Sequence, residues 1–125
     1  MSSKTVGLRK IITEQLQTVP GGTYHRHASP SAVFPYKVYS MSTITFPDSA
    51  RDDISLIVDV WDRNASQDPK TAEGIADQIE QIFNCANLPR PPLYPTFFRD
   101  TRNPVEDPDK ELIHIQLRFS VQLYA

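Results

Sequence analysis

A mainly antiparallel α+β sheet with two helices packed on one face follows from three features of the chain. From Leu112 to Tyr124 the residues alternate almost without error: Ile113, Ile115, Leu117, Phe119, Val121 and Leu123 against His114, Gln116, Arg118, Ser120 and Gln122. Successive side chains of a strand point to opposite sides, so this segment is a long antiparallel strand with one face on a core and the other in polar surroundings. Two further segments instead carry apolar residues at helical spacing: Leu8, Ile11, Ile12 and Leu16, then Ala72, Ile75, Ala76, Ile79, Ile82, Phe83 and Ala86. The rest divides into β-branched and aromatic runs bounded by Pro, Gly and Asp, giving the order α-β-β-β-α-β-β.

The first helix runs from about Ser3 to Thr18 and stops at Val19-Pro20-Gly21-Gly22. Thr23 to Ala28 reads as a short strand leading into Ser29-Pro30-Ser31. Phe34 to Phe46 reads as a second strand, closed by Pro47-Asp48-Ser49. In Asp53 to Trp61, Ile57 joins Ile54, Leu56, Val58 and Val60, a pattern expected of a central strand partly covered on both faces. After a polar loop, Asp62 to Gln67, Asp68-Pro69 opens the second helix, with Asp free to cap and Pro preset for the first turn. That helix is expected to reach Ala86. Pro89, Pro91, Pro92 and Pro95 make 88–95 an arm or loop outside the core, because proline removes backbone donors and fixes an extended path. Thr96 to Arg102 then makes a short strand, and Asn103 to Lys110 an acidic, proline-broken turn before the last strand.

Length and charge bound the function. At 125 residues the chain is read as a single domain, 1–125. A net charge of −2 lacks the broad basic footprint of proteins that grip nucleic acid, so direct nucleic-acid binding is not expected. No run approaches the roughly 20 apolar residues that span a bilayer, and the N-terminus lacks a secretory core, which places the chain in a cytoplasm with no membrane partner. The single cysteine, Cys85, excludes an internal disulfide framework and a multi-thiolate zinc site, and its position at the end of an apolar helical pattern predicts a small buried hydrophobe.

Few constellations carry chemistry. His25 and His27 sit two apart in a strand, with His114 as a conceivable third ligand, but no carboxylate has a spacing tied to them. Pro47-Asp48 followed by Asp68-Pro69-Lys70 matches the loose pattern of a metal-dependent nuclease. The match fails because that chemistry needs the second acid and the lysine side by side on a strand, and Pro69 opens a helix. The serines lack an elbow motif, and the 4 glycines form no phosphate loop. Asp59 and Asp62 flank Trp61 at a strand end and read as solvated rim charges near Arg63. No catalytic residue, cofactor or metal is therefore assigned.

Phe97, Phe98, Arg99 and Arg102 follow the proline run, mixing the aromatic and Arg side chains enriched at protein interfaces. The bland alternative sends one Phe into the core and pairs the arginines with Asp100, Glu106 or Asp107. With Arg63 and Asn64 of the polar loop, these four residues are the expected protein-contact residues.

The strand opening Phe34-Pro35-Tyr36-Lys37-Val38-Tyr39, the strand end Val58-Asp59-Val60-Trp61-Asp62-Arg63, the helix Thr71 to Phe83, and Phe98-Arg99 with the Asp107 to Phe119 turn and strand resemble the tail terminator, or tail completion, proteins of long-tailed bacteriophages. The resemblance covers nearly the whole chain and rests on fold-pattern residues. It implies a small non-enzymatic subunit that assembles into a hexameric ring on the tail tube, stops tube growth and presents a surface for joining the head. Its implied partners are further copies of itself, the tail tube protein and a head-completion or neck protein, and its implied location is the virion. Another neck component, such as a head-closure or adaptor protein, is the nearest alternative; a nucleic-acid-binding module or a nuclease using Asp48 and Asp68 is the alternative of a different class.

Overall fold

The structure, a computed structural model, describes residues 4–45 and 51–124. Its elements are α1 (Lys4–Leu16), β1 (Gly22–His25), β2 (Tyr36–Thr45), β3 (Arg51–Arg63), α2 (Lys70–Phe83), β4 (Ala86–Asn87), β5 (Tyr94–Val105) and β6 (Leu112–Tyr124). They build a six-stranded sheet in the order β1-β2-β3-β6-β5-β4, antiparallel except for the β1–β2 pair. Both helices cover one face, and the long β3 and β6 lie at the centre, paired over their full length. This is the α+β architecture expected, with the two-residue β4 as an addition. Ser3, Phe46 and the turn at Pro47-Asp48-Ser49 lie outside the described residues.

The apolar stripes enter the core as their periods require. Leu8, Ile11, Ile12 and Leu16 of α1 and Ala72, Ile75, Ala76, Ile79 and Phe83 of α2 are buried against Ile54, Leu56, Val58 and Val60 of β3 and Leu117, Phe119, Val121 and Leu123 of β6. Phe83 closes the C-terminal end of α2 between Phe97, at 4.8 Å between ring centroids, and Phe119, at 5.4 Å with the rings edge to face. Burial in β3 alternates strictly, so Ile57 falls on the open face while Asp52 and Asp62 fall on the helix face. Asp52 takes an ion pair from Lys4 of α1. Asp62 corrects the rim-charge reading: it is 6% exposed, because the period of two turns its side chain inward.

A buried lysine ties α1 to the sheet. Gly21 ends the chain's run out of α1 with φ of 93°, where an added Cβ would lie 2.8 Å from the Pro35 carbonyl oxygen, so only glycine fits. The turn it makes aims three carbonyls inward. Lys37 Nζ donates to all three, those of Val19 at 3.1 Å, Pro20 at 3.0 Å and Gly21 at 2.7 Å, which uses every ammonium proton. Tyr39, two residues on and on the same face, meets Thr13 Oγ1 at 2.6 Å and donates to the Arg9 carbonyl of α1.

Four sequence expectations need correction. β1 is shorter than Thr23 to Ala28, because the backbone turns to the left-handed region at Arg26, φ 71°. α2 ends at Phe83, and Cys85 stands exposed at φ 50° in the turn to β4, not buried on a continuing helix. β5 runs to Val105, well beyond Arg102, although it contains Pro95 and Pro104. At Pro104 that is tolerable because, among the described residues, no strand lies outside β5 after Phe97, so a missing donor on that side breaks no ladder; Pro95 sits beside the chain leaving β4 and takes part through its carbonyl, which accepts from Leu88 N–H. Finally, 88–95 does reach the core: Arg90 and Leu93 exchange backbone hydrogen bonds around the cis Pro91–Pro92 bond, and the tight turn drives Leu93 against Gly7 of α1. A Cβ at Gly7 would stand 2.5 Å from Leu93 Cδ1, so the glycine gives up helix propensity to admit the leucine. Arg90 adds an ion pair to Glu14.

Candidate assembly surface

The face of the sheet away from the helices is uncovered among the described residues. Its middle carries short polar side chains set in rows by the register, as in Ser120, Ser55 and Ser42, with Phe98 at the β5 end of that row. Aromatic groups mark its two ends. At one end, Tyr94 and Tyr124 face each other across β5 and β6, exposed, with exposed Ile44 on β2 beyond. At the other, the His114 ring stacks on Trp61 at 3.8 Å between centroids, and Asp59 Oδ1 fixes it through Nε2 at 2.7 Å while accepting from Gln116 at 3.2 Å. Asp59 therefore serves β6 and does not pair with Arg63. This flat, pinned aromatic surface was not legible in the sequence, since Trp61 and His114 meet only through the β3–β6 register.

Arg63 ends β3 beside this stack. Its guanidinium pairs with Asp109 and Glu111 of the β5–β6 turn and lies 5.9 Å from the centre of the Phe34 ring. The Arg63 partner holds the Asp109 carboxyl below the usual carboxylate range, with the Glu111 backbone N–H adding to the effect. Asn64 is spent within its own loop: Oδ1 accepts from Asp68 N–H at 2.8 Å and from the Ser66 hydroxyl, and Nδ2 donates to the Asp68 carbonyl. Asp68 in turn accepts from the first amide of α2, Lys70 N–H, at 3.0 Å, although Pro69 takes the N-cap position expected of Asp68.

Phe97 and Phe98 part company. Phe97 is fully buried, stacked into the aromatic core, so its ring is absent from the surface, whereas Phe98 is exposed on the open face. Arg99 and Arg102 both lie over α2. Alternation from the buried Phe97 puts Arg99 on the helix side, and a period of two would put Arg102, three residues on, on the opposite face, but a β-bulge at Asp100 inserts one extra residue and returns Arg102 to the helix side. Their partners are the α2 acids, not Asp100, Glu106 or Asp107. Arg99 Nη1 meets Glu80 at 2.7 Å, and Arg102 Nη1 meets Glu80 at 2.7 Å and Asp77 at 2.6 Å. Asp77 first, then Glu80, keep the Arg102 guanidinium pKa above its ordinary value. Glu80 is buried, while Asp77 is 64% exposed and Arg99 55%. Glu80→Gln should therefore lower stability by about 1–2 kcal/mol, more than a surface pair and less than a sealed one, and Asp77→Asn should change it by under about 0.5 kcal/mol. Urea unfolding of the two variants checks the ranking.

Below Arg102 a cleft of about 460 Å³ opens at the Trp61 end of the sheet, between the first turn of α2 and the β5–β6 connection. Its apolar floor includes Pro104, Leu112 and Ile113, and Glu73, Glu106, Asp107 and Lys110 stand around it. The expected contact residues are thus dispersed. Arg63, Asn64 and Arg102 gather toward this end, Phe98 and Arg99 lie mid-sheet on opposite faces, and the 88–93 turn lies at the far end. His25 and His114 sit on opposite faces with two strands between them, and among the described residues no group of three His, Cys, Asp or Glu side chains is placed to hold a metal. Asp48 lies outside the described residues. No helix among those residues is long and apolar enough to cross a membrane.

The sequence matches no family model and no curated protein. The fold does match: it is similar to a chain of the virion of a native gene transfer agent particle, with a TM-score of 0.78 over 99% of this chain and 100% of that one. Identity is 12%, so the likeness is one of fold, carried by the arrangement of strands and helices.

Proposed function

We propose that this chain is a non-enzymatic structural subunit of a phage-type virion, a single domain that assembles as a six-membered ring on the end of the tail tube, stops tube elongation and offers the surface on which the head is joined. The observation that carries the reading is the end-to-end fold similarity to a chain of a gene transfer agent virion. The sequence resemblance to tail terminators points the same way from separate evidence.

Two features of the molecule support a ring. A cyclic assembly needs two different patches on each subunit, one meeting the other on the next copy. Here the 62–67 loop and the cleft stand at one end of the sheet and the 88–93 turn with Tyr94 and Tyr124 at the other. The open face also joins short polar side chains to a few exposed aromatics, a composition suited to protein contact. On this reading the partners are further copies of the chain, the tube protein and a head-completion or neck protein, and the chain is made in the bacterial cytoplasm before entering the virion.

The test uses tube protein from the same phage. Adding the purified chain to polymerising tube protein should arrest growth and leave a cap of density at one end of each tube in electron micrographs. Tubes that grow to the same lengths, with both ends bare, would contradict the assignment.

A further inference from the structure

Most arginines of the chain are neutralised within it. Arg51, Arg63, Arg90, Arg99 and Arg102 each meet a carboxylate. Arg9, Arg26 and Arg118 have none among the described residues; Arg118 lies opposite Ile57 on the open face, whereas Arg9 and Arg26 come together at one histidine: His25 at the end of β1 packs on Tyr39, whose hydroxyl donates to the Arg9 carbonyl and whose own carbonyl accepts from Arg26 N–H. Burial, then the charges of Arg9 and Arg26, push the His25 pKa below its ordinary value. Among the described residues these like charges thus stand together without a counter-charge, at a cost in repulsion that a partner's carboxylates would relieve.

Beside this patch, the outer edge of β2 from Ser40 to Thr45 carries no strand among the described residues. It contains no charge and no proline, and exposes Ile44 at 63%. Those are the features proteins remove from an edge meant to stay solvated. The opposite edge, along β5, carries Arg99, Asp100, Arg102, Pro104 and a bulge, all of which discourage pairing.

The counter-charge is present elsewhere on the same chain. Glu73, Glu106 and Asp107 stand at the cleft, outnumbering Lys110 there, and none of the three acids has an ion pair among the described residues. This acidic rim sits where β5 turns to β6, with β2 and β3 between it and β1, too far across the sheet for the two patches to meet within one molecule. We propose that the basic Arg9–His25–Arg26 patch and the acidic Glu73–Glu106–Asp107 rim are the two halves of one contact, each copy inserting its rim against the basic patch of the next. The proposal rests on the ring reading, and names the surfaces that close it. Nucleic acid is the less suitable occupant, because two arginines on a chain of net charge −2 neutralise few phosphates.

Charge reversal tests the pairing by sedimentation velocity over a protein concentration series at low and high salt. R9E/R26E and E73K/E106K should each weaken self-association about tenfold or more. An equimolar mixture of the two should restore it, since every reversed patch then finds a reversed rim and every native patch a native rim. Melting curves establish that the variants fold, and the milder R9Q/R26Q replaces the first where it does not. Association unchanged in both variants, or no recovery on mixing, overturns the pairing while leaving a ring intact. A wild-type chain that stays monomeric at every concentration and salt, even with tube protein added, overturns the pairing and the ring together. Duplex DNA captured by the wild type and lost in R9E/R26E would overturn the pairing by assigning the patch to phosphate.

Discussion

Replacing Phe83 with alanine is expected to lower the free energy of unfolding by about 3–5 kcal/mol, the range for truncating a fully buried aromatic side chain. The ring is inaccessible to solvent and closes the core at the point where α2, β5 and β6 meet, packed on Phe97 and Phe119. Helix and sheet are rigid on each side, so the space would collapse only in part. A domain of this size holds about 5–15 kcal/mol in all, which makes the loss a large share of the total. Phe98→Ala, one residue from Phe97 but exposed, should change stability by under about 0.5 kcal/mol. Denaturant unfolding of the pair measures the contrast, and equal losses would show that the placement of Phe98 on the exposed face is wrong.

Lys37→Met should cost about 2–4 kcal/mol, because three carbonyls that now share one ammonium would lose their donor together. Methionine fills the space and removes a buried charge, which offsets part of that loss. The pH dependence carries a sign of its own. Burial lowers the Lys37 pKa to about 8, below the value of roughly 10.4 for a free lysine. Between those values the unfolded chain holds more protons than the folded one, so the stability contributed by this group rises as pH climbs through the window and is flat below it. The difference in melting temperature between wild type and Lys37→Met should accordingly widen above pH 8. A constant difference would mean that the three carbonyls hold the proton as firmly as water does.

The fold was legible wherever one residue period ran long enough to be unambiguous. β6 and α2 are the clearest cases, and the stripe in α1 and the apolar run of β3 placed the rest of the core. The losses came where a single residue reset the pattern. The Asp100 bulge turned Arg102 toward α2 beside Arg99, where Glu80 and Asp77 wait, and nothing local in the sequence marks an inserted residue. Pro95 and Pro104 hid the length of β5, since proline argues against a strand unless its outer side is known to be free. Cys85 was misplaced because α2 stops three residues before the apolar pattern does. For the assembly surface, alternation alone separates Phe97 from Phe98, but the Arg9–His25–Arg26 patch joins a helix to a strand end, and only the folded chain brings these residues together.

The most direct test of the account is negative-stain imaging of the purified protein over a concentration series. The account predicts closed rings of six subunits, about as wide as a tail tube, whose population grows with concentration. Particles that remain single subunits throughout, even with tube protein present, would contradict it.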